Sequence, residues 1–427
     1  MRVAVCLLFC IPCLLSVPIL AQQSASNAAQ PGAAAVTVPL ILDHNRIVIE
    51  VDISSSGSVA QRARAWVDNG NPEFWMSQRV AALMGLNVSC GGEVCTGKPK
   101  TGAAVGELSI HGLRLSLVGM SGMRVVPGGA APGMNAEIHI PCTILRDYDV
   151  LVDFPGRKFS IGPRGSLKFN GTKTKAVVES GTGLIRIPSQ IENKKYDLGL
   201  DLGSSMSFVS KDLFDKLFAA HPEWPNMIGA VAPANISGSP GELKQRLMRL
   251  DRLQFGPLFL VDVAVADSAE DQIISTQGTA GVPQPSGSLG SEALLNYRIG
   301  LDYAHSSVYF EIGRTFNFPD FDVIGITLRP EVDGHFTVAA IADFHGEASV
   351  LSGADGVQAG DSLLAVDDIP TAGSTLGQVW AMLGGEVGQQ RRLTLERGGK
   401  QFVLLAKVQH FLGRGDSQSE GKSGKKR

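Results

Sequence analysis

The chain has 427 residues, 44% of them hydrophobic and 19% charged, with a formal net charge of −3. That length and apolar content predict a folded protein of two or three domains rather than a disordered one. No stripe of clustered Lys and Arg is present, which excludes a nucleic-acid binder, and the terminal KSGKKR reads as a solvated tail.

The first stretch, MRVAVCLLFCIPCLLSVPILAQQ, has one Arg, a short apolar core and a small residue, Ala21. This is the layout of a secretory signal over 1–21, with an uncleaved anchor as the alternative, and no membrane span is expected after cleavage. A leader rich in Ala, Gln, Ser and Asn follows over 22–37. Three of the six cysteines, Cys6, Cys10 and Cys13, belong to the signal. In an oxidising compartment Cys90 and Cys95 of SCGGEVCTG have the spacing to close a small loop as a disulfide, leaving Cys142 as a small buried hydrophobe. The cysteines show no zinc spacing and the eight histidines are scattered, so neither metal nor cofactor is expected.

Beyond the leader, VPLILDHNRIVIEVDI and GELSIHGLRLSLVGM alternate apolar and polar residues as strands do, while MSQRVAALMGL and SKDLFDKLFAA are short helices. An apolar strand then runs into Asp68, Asn69 and Gly70. The layout returns in LGLDLGSSMSFVS, with Asp201, Leu202, Gly203 and Ser204. Later landmarks recur as well. CTILRDYDVLVDFPGRKFSIG and SEALLNYRIGLDYAHSSVYFEIG align Tyr148 with Tyr297 and Asp153 with Asp302. Two copies of one mainly β unit, at 38–165 and 172–315, account for these matches. Asp153 and Asp302, each followed by an aromatic and a turn, read as structural.

A carboxylate at the end of a buried strand is costly unless paired or used. Two of them meeting across a pseudo-twofold seam share a proton: the ionised one deprotonates water, and the protonated one donates to a carbonyl. An Asp-x-Gly in isolation is equally a plain turn, with Asp accepting backbone N–H and Gly supplying the bend. A serine hydrolase is not indicated, since SGSLGS lacks the nucleophile elbow.

The strand, Asp-x-Gly, Ser-containing turn and later hydrophobic-Gly strand GSLGSEALLNY resemble the retropepsin and pepsin aspartic peptidases over 38–315. The resemblance implies a β-barrel in each lobe, catalytic Asp68 and Asp201, and a polypeptide substrate. It departs at the middle of each turn, where the family has Thr or Ser bonding across the interface. Asn69 has the groups to replace part of that network and Leu202 has none. In the first copy IHIPC carries Pro141 where the second has Gly290.

From about residue 322 the text changes. GADGVQAGDSLLAVDDIPTAG, the helix LGQVWAMLGG and flanking strands resemble a PDZ domain over 322–408, followed by a disordered tail over 413–427. That resemblance implies capture of protein C-termini by β-augmentation at Gly325, Ile326, Thr327 and Leu328; the alternative is a module that packs on the lobes and binds nothing. The expectation is therefore mainly β, two tandem retropepsin-like acid-protease β-barrel lobes followed by a PDZ-like domain. The expected function is a periplasmic or secreted aspartic endopeptidase, with a catalytically inactive peptide-binding scaffold of the same fold as the alternative.

Overall fold

The computed structural model describes residues 34–54, 59–91, 94–99, 106–117, 123–126, 133–268, 285–313, 321–344, 347–350, 353 and 355–413. The expected signal, most of the leader and the tail from residue 414 lie outside them. Among the described residues no helix is long and apolar enough to cross a membrane.

The first lobe is built on strands β1 (Arg46–Ser54), β2 (Gln61–Asp68), β3 (Trp75–Ser77), β4 (Met123–Val126) and β5 (Ile138–Pro141), with helix α1 (Gln78–Leu83) after β3. β1 and β2 pair antiparallel, and β2 runs parallel to β5 with Asp68 opposite Pro141. β5 is antiparallel to β3, which is parallel to β4. After β6 (Tyr148–Asp153) and β7 (Lys158–Pro163), the second lobe repeats the scheme with β8 (Ile185–Ile191), β9 (Lys194–Asp201), β10 (Ser207–Ser210), helix α2 (Lys211–Ala220), β11 (Leu258–Ser268) and β12 (Gly287–Gly290). β8 pairs antiparallel with β9, β9 is parallel to β12 with Asp201 opposite Gly290, β12 is antiparallel to β10, and β10 is parallel to β11. The ladders match pair for pair. β5 and β12, each held between one parallel and one antiparallel neighbour inside its sheet, are buried along their whole length.

The two copies meet in a six-stranded sheet where β6 pairs antiparallel with β13 (Tyr297–Asp302), flanked by β7 and β14 (Ser307–Ile312). Leu151 stands opposite Gly300. The repeat that equates Tyr148 with Tyr297 also equates Leu151 with Gly300, so the pseudo-twofold axis passes through this pair. Asp153 accepts from the Gly156 N–H and pairs with Arg298, and Asp302 caps a helical turn at His305. Both are structural. The leader ends earlier than its composition suggested, because Val36–Pro39 forms a strand against Lys158–Ile161 and Val36 packs on the shared core.

The C-terminal unit is a sheet in the order β15 (Ile326–Pro330), β16 (Phe336–Ile341), β17 (Ser362–Val366), β18 (Gln390–Arg397), β19 (Lys400–Lys407), with helix α3 (Leu376–Leu383). Thr375 and Gln378 form a capping box at the start of α3. Asp361, almost fully buried, closes the turn before β17 by accepting from the Gln358 N–H and both ends of the Arg397 fork. The unit runs past 408, since Gln409–His410 pairs with Asp322–Val323 and the Leu412 carbonyl accepts from Arg249.

A second hydrophobic core joins this unit to lobe 2: Val231, Ala232 and Ala234 pack with Ile326, Leu328 and Val379. This corrects one expectation. Ile326, Thr327 and Leu328 are 1–2% exposed, and the chain itself covers the edge of β15. The Asn235 amide bonds both the N–H and the C=O of Leu328 at 2.8 Å, Thr327 Oγ1 donates to the Ala230 carbonyl, and the Gly325 carbonyl accepts from Ser349. Asn235 thus takes both backbone groups of Leu328, and Ser349 and Ala342 take the Gly325 carbonyl, so these groups are not free to receive a foreign chain end.

Candidate active site

Strand β2 climbs from exposed Gln61 to buried Asp68, and β9 from exposed Lys194 to buried Asp201. Asp68 Oδ1 accepts from the Gly70 N–H at 2.7 Å, and Asp201 Oδ1 from the N–H groups of Gly203 and Ser204 at 3.0 and 2.9 Å. Each glycine lies against the opposite carboxyl. A Cβ on Gly70 would fall 2.2 Å from Asp201 Cγ, and one on Gly203 the same distance from Asp68 Cγ. Only glycine fits at either position. The structure thus brings Asp68 and Asp201 together across the seam. Burial first, then the Asp68 charge, push the Asp201 carboxyl well above the usual carboxylate range.

The middle residues of the two turns share one job unequally. Asn69 Nδ2 donates to the Leu200 carbonyl at 2.7 Å, and Asn69 Oδ1 accepts from the Leu202 N–H at 2.7 Å. One amide supplies donor and acceptor to the opposite loop. Leu202 contributes backbone only: its carbonyl accepts from Ser291 Oγ at 2.8 Å and its side chain is buried. Trp66 Nε1 adds a third tie, to the Gly203 carbonyl at 3.1 Å. Gly325, Ile326, Thr327 and Leu328 are not part of this site, and neither is the disulfide that joins Cys90 and Cys95 across a hairpin.

Two residues escaped sequence reasoning. His139, fully buried in β5, places Nε2 3.0 Å from Asp68 Oδ2 and Nδ1 2.6 Å from the Glu73 carbonyl, with its ring between Trp66 and Trp75. A carbonyl only accepts, so Nδ1 carries a proton. Nε2 then either accepts from a protonated Asp68 or donates, as imidazolium, to the ionised carboxylate. The matching position in lobe 2 is Ser288, whose hydroxyl has no partner. The signal was a His between two Ile in IHIPC, at a strand position the repeat marks as fully buried.

Arg46 is the second. His44 and Asn45, both at positive φ, turn the chain so that Arg46 opens β1 beside the Asp turns. Its guanidinium lies 5.2 Å from the Trp66 ring centroid, and one amino group reaches Met134 Sδ at 2.9 Å. Arg46, Trp66, Trp75, Met206, Phe208 and Ile236, with both aspartates, line one cavity of about 360 Å³.

No family model and no curated protein matches the chain. Among solved structures it is similar to an aspartic proteinase from Irpex lacteus, with a TM-score of 0.38 and 12% identity over 66% of this chain and 98% of that one. It is also similar to Basic 7S globulin from soybean, with a TM-score of 0.38 and 10% identity over 65% of this chain and 94% of the other.

Proposed function

We propose that the chain is an exported aspartic endopeptidase, acting in the periplasm or outside the cell, whose Asp68–Asp201 dyad hydrolyses peptide bonds with an activated water. The observation that carries this reading is the mutual packing of the two buried carboxyls, each against the other turn's glycine. A pair of simple turn aspartates has no reason to meet.

The chemistry follows from the asymmetry. Ionised Asp68 takes a proton as water attacks the substrate carbonyl carbon, and Asp201 gives its proton to the carbonyl oxygen. The resulting gem-diol returns a hydroxyl proton to Asp201. Asp68 passes its proton to the amide nitrogen, the C–N bond breaks, and acid and amine leave. His139 steadies the charge on Asp68, and Asn69 holds the two loops in the alignment such a step demands. The C-terminal unit, PDZ-like in the order of its strands and helix, clamps lobe 2 and the tip of the first hairpin, so polypeptide meets the protein at the cleft.

Digestion of a denatured protein across pH 3–8 tests the proposal. Cleavage by the native chain, lost in both Asp68→Asn and Asp201→Asn, supports it. Cleavage that survives either substitution, or a native chain that cuts at no pH, overturns it and leaves the peptide-binding scaffold.

A further inference from the structure

Arg46 lines the cleft but takes no part in the hydrolytic step. It is 4% exposed, forms no ion pair among the described residues, and its Nε has no hydrogen-bond partner. Four carboxyl groups are near enough to influence it without a direct bond: Asp68, Asp43, Glu242 and Asp201. Each is bonded elsewhere. Asp43 is held by Thr375 Oγ1, Glu242 by the N–H groups of Ile236, Ser237 and Gly238, Asp68 by Gly70 and His139, and Asp201 by Gly203 and Ser204. A buried cation without a bonded anion is costly.

The surrounding chain nevertheless fixes it in place. The hairpin tip is tied to lobe 2 through Asn45 Nδ2 and the Ser205 carbonyl, and to the C-terminal unit through Asp43 and Thr375. The guanidinium rests over the Trp66 ring. A planar fork, preset and unpaired on the wall of a cavity that also holds the dyad, suits a carboxylate.

Resting on the peptidase reading, we infer that Arg46 is a specificity-determining residue that binds a carboxylate of the polypeptide beside the scissile bond. That carboxylate is an Asp or Glu side chain or the free C-terminus of the substrate. The ligand anion completes the bonding that the fold leaves open.

Two peptide sets separate the sources, one exchanging Asp and Glu for Asn and Gln around the cut and one comparing free-acid with amidated C-termini. Binding is measured by calorimetry on Asp201→Asn protein, which needs no turnover, and kcat/KM on the active chain. The expected result is a preference of about tenfold or more for the acidic member of one set. It should vanish in Arg46→Gln and return in part in Arg46→Lys. Equal binding of acidic and neutral peptides, absence of binding, or a preference that survives Arg46→Gln overturns the inference. If the active chain cuts nothing while Asp201→Asn still prefers the acid, the peptidase reading fails and the carboxylate site stands.

Discussion

The two Asp turns are copies in backbone and opposites in surroundings. Around Asp68 stand His139, Trp66, Trp75, Arg46 and the bridging amide of Asn69; at the matching places around Asp201 are Ser288, Phe208 and Leu202. The hairpin tips contrast in the same way. His44 and Asn45 are buried under α3, whereas Glu192 and Asn193, also at positive φ, face water. The backbone frame is symmetric, and the side chains set around it have diverged.

The symmetric part of this comparison is broken hardest by Gly70→Ala and Gly203→Ala. Either methyl would press into the opposite carboxyl, so both variants should lose activity altogether and about 1–3 kcal/mol of stability. Denaturant midpoints and turnover check this, and a tolerant glycine on one side would mean the seam is looser than described.

The hairpin tips differ in their response to acid. Burial first, and then Arg46, hold the His44 ring down at about 3 against its ordinary 6.5, and neither ring nitrogen has a partner. The unfolded chain therefore binds the proton that the folded chain refuses. Stability is full above pH 6.5 and falls as pH drops toward 3, by about 3 kcal/mol between pH 6.5 and 4. Thr375, Asp43 and Trp380 also face this tip, and Asp43 and Asp201, raised by burial, act in the opposite sense as pH falls. Urea titrations at pH 7 and pH 4 should show the decline flattened in His44→Asn and unchanged in Glu192→Gln.

His139→Gln should lower kcat by about one to two orders of magnitude with little change in KM, through misplacement of Asp68. Its counterpart Ser288→Ala should do nothing measurable to either. Smallest is the contrast within the grip. Asn69→Ala leaves a buried N–H and carbonyl unsatisfied, about 2 kcal/mol, whereas Leu202→Met removes no hydrogen bond and costs under about 1.5 kcal/mol by thermal unfolding.

The parts legible in the sequence are those carried by local pattern. Asp68 and Asp201 could be singled out because an apolar approach, an Asp and a Gly recur within a few residues, and the repeat of Tyr148 at Tyr297 announced the second copy. Asn69 could be suspected from its amide, but not its reach to two groups of the other lobe. His139 and Arg46 stayed hidden because their meaning lies in contacts with Asp68, Glu73, Trp66 and Met134, which only the tertiary fold brings near. The covering of β15 was illegible for the same reason, since nothing in the text around Leu328 points to Asn235.

The apolar seam beneath residues 230–235 ties the last quarter or so of the described chain to the rest. A protein cut short before Phe321 would turn Val231, Ala232 and Leu247 out to solvent and lose the wall that Ala234 and Ile236 give the cavity. Melting should accordingly register as one cooperative event, with no separable step for the terminal unit.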